Sequence, residues 1–84
     1  GAKPYHQAYS KGVKILGATA HYVSSELDEG PIIEQSVDRI NHSTTPKEME
    51  IIGRDIESIT LAKAVKYHTE QRIFLNDNKT VIFN

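Results

Sequence analysis

An α/β domain is the fold expected of this chain, and three features of the sequence point to it. Thr45-Pro46-Lys47-Glu48 has the form of a capping box and opens a long stretch of helical periodicity. Two runs rich in aliphatic and β-branched residues, 13–23 and 31–40, precede it as candidate strands. A polar turn, Asn76-Asp77-Asn78-Lys79, divides two short apolar runs near the end. The expected order is a short helix, two strands, a long helix and a terminal hairpin.

Residues 4–11 suit the short helix. Pro4 is harmless in a first turn, where the missing N–H would be unpaired anyway, and Gly12 can end the helix in a left-handed conformation. In the strand 13–23, Ala18, Ala20 and Tyr22 would face one way and Thr19, His21 and Val23 the other. The loop 24–30, Ser-Ser-Glu-Leu-Asp-Glu-Gly, is polar apart from one leucine. Pro31 is tolerated at the start of the next strand, because only there does the ladder not need its N–H. The two strands are placed to pair antiparallel across the loop.

In the long helix, 46–70, Met49, Ile52, Ile56, Ile59, Ala64 and Tyr67 fall within an arc of about 140° at ~100° per residue. Leu61, Ala62 and Val65 fall on the opposite side. The second half is therefore apolar on two faces and is expected to lie between two layers. Ile73-Phe74-Leu75 and Thr80-Val81-Ile82-Phe83 read as the hairpin.

Composition narrows the function. Eighty-four residues make one small domain at most, burying only about 60–65% of the surface of the unfolded chain. With no cysteine, disulfides, zinc–thiolate sites and thiol catalysis are excluded. Ten basic and 11 acidic residues give a net charge of −1, which disfavours nucleic acid or an anionic membrane as partner. No apolar run approaches the roughly 18 residues of a membrane helix. No signal peptide is visible, and the only methionine is Met49, so the chain is expected to be part of a longer one.

Few residues are candidates for chemistry. Glu26, Asp28 and Glu29 lie between two apolar strands, with Gly30-Pro31 fixing the exit. Such a loop is ordinarily just solvated. The sharper reading singles out Asp28: a carboxylate at a strand end, framed by Leu27 and Gly30, can be partly desolvated and serve as general acid or base. His21, near the strand end, is by itself as well explained by a structural hydrogen bond. His6, His42 and His68 share no metal-ligand spacing. Ser24-Ser25 lack a nucleophile elbow, and Gly12, Gly17 and Gly30 do not form a phosphate loop. The residues alone give a carboxylate without a partner or an oxyanion donor.

The stretch from Gly17 through Leu27-Asp28-Glu29-Gly30-Pro31 to Ile33 resembles the signature of the folate-dependent formyltransferase family: a glycine-led strand, Leu-Asp-x-Gly-Pro, then a second strand. Gly1-Ala2-Lys3-Pro4-Tyr5-His6-Gln7-Ala8, Gly53-Arg54-Asp55-Ile56-Glu57 and the ending Asn78-Lys79-Thr80-Val81-Ile82-Phe83 resemble its deformylase branch. The resemblance covers essentially all 84 residues.

The resemblance implies the C-terminal portion of a Rossmann-like formyltransferase domain, with an upstream half and an ACT domain preceding Gly1. It implies hydrolysis of 10-formyltetrahydrofolate to tetrahydrofolate and formate, with formate supplied to purine synthesis in the cytoplasm. Folate is then the substrate, and no cofactor or metal is required. In the family an asparagine and a histidine, which would lie before Gly1, act with the aspartate of Leu-Asp-x-Gly. That aspartate corresponds to Asp28. By the same resemblance His21 supports the site, and the loop of Ser24, Ser25, Glu26, Leu27 and Glu29 meets the pterin ring through its backbone. Glu29, where glycinamide ribonucleotide transformylases usually carry glycine, fits the deformylase branch.

Two other readings stand beside this one: formyl transfer to an amine such as glycinamide ribonucleotide, and a non-enzymatic binding or assembly module. The residues 1–84 alone are expected to be inactive. The two-faced helix is expected to need a parallel sheet from the upstream half, and without it the chain is expected to be a homo-oligomer or a partly ordered chain rather than a compact monomer.

Overall fold

The computed structural model describes residues 3–24, 26 and 29–84, and the account below is confined to these. The first helix, α1 (Lys3–Lys11), begins one residue earlier than expected. It ends as expected at Gly12, which takes φ 67°. Gly12 N–H donates to Tyr9 O (3.0 Å) and Val13 N–H to Ala8 O (3.2 Å), the paired bonds of a Schellman cap. No residue of α1 is buried.

Strands β1 (Ile15–His21) and β2 (Ile32–Arg39) pair antiparallel, from Ile15 opposite Arg39 to His21 opposite Ile32. Both are shorter than the expected 13–23 and 31–40. At one end Val13 is taken up by the helix cap; at the other, pairing continues past the ladder through Tyr22 N–H to Pro31 O (2.9 Å). Side chains alternate along β1, with Leu16, Ala18 and Ala20 half-buried and Ile15, Gly17 and Thr19 exposed. A register shift between Ala20 and His21 then breaks the period. His21 is half-buried like Ala20, rather than exposed like Thr19, with which strict alternation would have grouped it.

The long helix, α2 (Pro46–Thr69), starts where its cap demands. Thr45 Oγ1 accepts from Glu48 N–H (3.1 Å), and Glu48 Oε1 accepts from Thr45 N–H (3.0 Å). Hydrogen bonding to Thr45, its backbone first and its hydroxyl second, holds the Glu48 carboxyl below its ordinary range. The helix lies across both strands and buries Met49, Gly53, Ile56, Thr60 and Ala64. Ile40, at the end of β2, joins this core.

The buried face differs from the apolar arc expected of the sequence. Ile59 is 53% exposed, whereas Gly53 and Thr60 are buried. Small residues win because the partners come close. A Cβ on Gly53 would collide with Tyr5 Oη and lie 2.9 Å from two ring carbons of Tyr5, so this glycine is where α1 rests on α2. Thr60 is tolerated because its hydroxyl donates to Ile56 O in the preceding turn (2.7 Å). The second apolar face is open: Leu61 is 60% exposed and Val65 52%, with Ala62 exposed beside them, and among the described residues one layer covers the helix.

After α2 the chain reverses through Glu70 and Gln71, the latter at φ 56°. Strands β3 (Ile73–Asn76) and β4 (Lys79–Ile82) form the expected hairpin, with Asn76 opposite Lys79. Thr80 Oγ1 donates to Ile32 O (2.5 Å), tying the hairpin to the start of β2. Arg72 braces the other end: its Nε donates to Phe83 O (2.6 Å), and its guanidinium lies 4.7 Å from the centroid of the Tyr67 ring. Among the described residues both sheets are two-stranded and antiparallel.

Candidate active site

The connection between β1 and β2 is closed at its mouth by the backbone of Tyr22. Tyr22 N–H donates to Pro31 O (2.9 Å), and Tyr22 O accepts from Gly30 N–H (2.6 Å). Glycine is required at the exit, because a Cβ on residue 30 would stand 2.5 Å from Tyr22 O and 3.1 Å from its carbonyl carbon. Gly30-Pro31, legible in the sequence only as a turn, is thus the point where the two sides of the loop touch.

The side chain of His21 adds to this junction. Its Nδ1 lies 2.9 Å from Tyr22 O. A carbonyl can only accept, so Nδ1 carries the hydrogen, and Nε2 of the neutral ring remains an acceptor. Both lone pairs of Tyr22 O are then used. His21 lines two concavities. One, of about 480 Å³, is bounded by Thr19, Glu29, Gly30 and Ile32. The other, of about 190 Å³, is bounded mainly by Ala20, Ile33, Leu61, Ala64 and Val65. A third and wider groove, about 710 Å³, runs between the loop exit and the β3–β4 turn, from Glu29 to Asn78 and Lys79.

Of the residues singled out in the sequence, Asp28, Ser25 and Leu27 lie outside the described residues. Ser24, Glu26 and Glu29 are exposed in the loop, and Ser24 Oγ accepts from Glu26 N–H (3.3 Å), a local turn bond. The structure brings His21 and Glu29 to one concavity. Sequence reasoning missed Tyr22 and His68. Tyr22 Oη lies 2.9 Å from His68 Nδ1 in the last turn of α2, and the rings meet edge to face at 5.7 Å. They are 46 positions apart, and nothing local in either segment signals the pair. Among the described residues, no group of three His, Cys, Asp or Glu could hold a metal ion. Nor, among the described residues, is any helix long and apolar enough to cross a membrane.

Of the two concavities that His21 lines, the one beside Glu29 is mixed in polarity and the one beside Leu61 and Val65 is mainly apolar, a combination that suits a ligand-binding cleft.

Known proteins match this arrangement throughout the chain. The formyltetrahydrofolate deformylase of Bacillus subtilis (strain 168) is 52% identical over 84 residues, which is 100% of this chain and 28% of the relative. The crystal structure of formyltetrahydrofolate deformylase from Burkholderia mallei ATCC 23344 superposes with a TM-score of 0.91 at 60% identity, covering 100% of this chain and 30% of the other. Phosphoribosylglycinamide formyltransferase from Anaplasma phagocytophilum superposes with a TM-score of 0.80 at 34% identity, covering 100% of this chain and 42% of the other. The α/β fold is accordingly that of the formyltransferase structures, and the chain spans less than a third of the length of the deformylases it matches. The family model described as formyl transferase matches residues 1–65, and the chain belongs to that family.

Proposed function

We propose that the full-length protein carrying this segment hydrolyses 10-formyltetrahydrofolate to tetrahydrofolate and formate. The observation that carries the reading is a contrast in likeness. Identity is 60% with a formyltetrahydrofolate deformylase and 34% with a phosphoribosylglycinamide formyltransferase, each over the whole of this chain. Residues 1–84 form the C-terminal part of the formyltransferase-like domain in this reading; its upstream half supplies a parallel sheet, and an ACT domain lies before that. The exposed stripe of Leu61, Ala62 and Val65 supports a second layer over α2.

The chemistry assigns Asp28 as general base. Its carboxylate takes a proton from a water molecule as the water oxygen bonds to the formyl carbon. The carbonyl oxygen of the formyl group becomes an oxyanion and must be met by donors, which the upstream asparagine and histidine provide. Collapse of the tetrahedral intermediate breaks the C–N10 bond. The proton held by Asp28 passes to N10, giving tetrahydrofolate and formate. His21, with Nδ1 fixed on Tyr22 O, supports the loop, and Ser24, Ser25, Glu26, Leu27 and Glu29 hold the pterin ring through their backbone. Folate is the substrate and no metal or bound cofactor takes part. The formate feeds purine synthesis, the protein is cytoplasmic, and the segment by itself is an inactive homo-oligomer.

A second reading, formyl transfer to an amine, draws on the likeness to the Anaplasma enzyme. Formate release from 10-formyltetrahydrofolate by the full-length protein separates the two. Hydrolysis predicts undiminished release when no amine acceptor is present. Release that requires glycinamide ribonucleotide, or its conversion to a formylated product, would establish the transferase instead. Folate binding without turnover in either assay would make this a binding module.

A further inference from the structure

Tyr22 makes three contacts at the base of the candidate loop. Its N–H and C=O close the loop mouth on Pro31 and Gly30. Its side chain leaves the sheet and meets His68 on the final turn of α2, at 2.9 Å between Oη and Nδ1 with the rings edge to face. The backbone of Tyr22 cannot shift without moving Gly30, and its ring cannot shift without leaving His68. Both aromatic rings border the small apolar cavity that also touches Leu61 and Val65, so the polar contact sits at the rim of an apolar floor. The hydrogen bond itself is exposed, and the edge-to-face rings restrict its direction.

We infer that Tyr22 and His68 are positioning residues for the Asp28 loop: their contact makes the C-terminal turn of α2 the fixed support from which the loop mouth is aimed. The inference rests on the deformylase reading above. Both side chains are assigned to act through the loop, not on the reacting atoms. The pair acts on turnover through the placement of the loop, where an error of about an ångström costs up to ~100-fold in rate. Stability depends on the pair far less, because the core under α2 is made by Met49, Ile56, Thr60 and Ala64.

The test uses the full-length protein and five variants. Tyr22→Phe removes only the hydroxyl, and His68→Phe keeps a ring but no hydrogen-bonding nitrogen. Each should lower kcat by about 5- to 20-fold, since placement rather than binding is lost, with KM and the melting temperature little changed. The double variant should be no slower than the worse single one, because both remove the same contact. His68→Gln, whose amide can still meet the Tyr22 hydroxyl, should recover most of the lost kcat. Wild-type kcat in Tyr22→Phe, losses that multiply in the double variant, or a fall confined to melting temperature would each overturn the inference. Asp28→Asn in the same assay separates this from failure of the deformylase reading. If Asp28→Asn is inactive while Tyr22→Phe is normal, only the positioning role falls; if Asp28→Asn retains full turnover, the catalytic reading falls and the positioning role with it.

Discussion

The two hairpins of this small domain are built from the same topological unit and are closed in opposite ways. Between β3 and β4 the chain turns through Asp77 and Asn78 alone, with Asp77 at φ 56°. The ladder continues up to the turn, and the local conformation of Asp77 does all the closing. Between β1 and β2, residues 22–31 leave the ladder, and the opening is closed by Tyr22, Gly30 and Pro31 through backbone bonds. A longer connection costs more ordering entropy, though the increase with length is slow. What it gains is a segment anchored at its mouth, in which the described residues Ser24, Glu26 and Glu29 are exposed. The tight hairpin has no room for chemistry. The long one has room for it, and it is the one that carries Leu27-Asp28-Glu29-Gly30.

Apart from removal of the carboxylate itself, the largest expected effect comes from breaking the closure of the long hairpin. Gly30→Ala forces a Cβ to within 2.5 Å of Tyr22 O, and the Gly30–Tyr22 bond must open. In the full-length protein kcat should fall by about 10- to 100-fold through misplacement of the loop. Formate-release kinetics check this; a variant with normal turnover would show that the mouth geometry is not what positions the site.

The helix that packs on the long hairpin gives the smaller effects. Thr45→Ala removes the side-chain half of the capping box and should cost about 1 kcal/mol, a shift of a few degrees in melting temperature with turnover unchanged. Glu48 contributes the other half in a pH-dependent way. Its folded pKa is lowered from 4.5 by the Thr45 bonds, so the charged form is favoured by folding. The stabilisation is present above about 4.5 and is lost as pH falls through the lower folded value. Glu48→Gln should therefore differ from wild type in melting temperature near neutrality and converge with it in acid. A gap independent of pH would place the effect of Glu48 elsewhere than in its charge.

Local signals in the sequence located elements well and faces less well. Thr45 and Glu48 mark the start of α2 to the residue, Gly12 marks the end of α1, and the polar tract at 76–79 marks the hairpin. Each of these is decided within a few positions, by chemistry that depends on immediate neighbours. The buried face of α2 is decided by what packs on it. Hydrophobicity ranks Ile59 above Gly53 and Thr60, yet the ring of Tyr5 needs a residue without Cβ, and Thr60 satisfies its own hydroxyl on Ile56. The same holds for His21, whose environment follows from a register shift that alternation does not foresee. For the site, the loop and the candidate aspartate could be read from the family pattern. The contact between Tyr22 and His68 could not, because it joins the end of a strand to the end of a helix through tertiary packing alone.

The contrast between the hairpins puts an aspartate in each loop, and it assigns them different work. Asp28 belongs to the long connection and is the proposed base; Asp77 belongs to the tight turn and only shapes it. The direct test is formate release from 10-formyltetrahydrofolate by the full-length protein carrying Asp28→Asn or Asp77→Asn, with folate binding measured on both. Asparagine keeps the size of each side chain, tolerates the left-handed conformation of the turn, and cannot serve as a base at neutral pH. The account predicts that Asp28→Asn binds folate normally and loses at least ~10²-fold in turnover, while Asp77→Asn matches the wild type. Near-normal formate release by Asp28→Asn would contradict it.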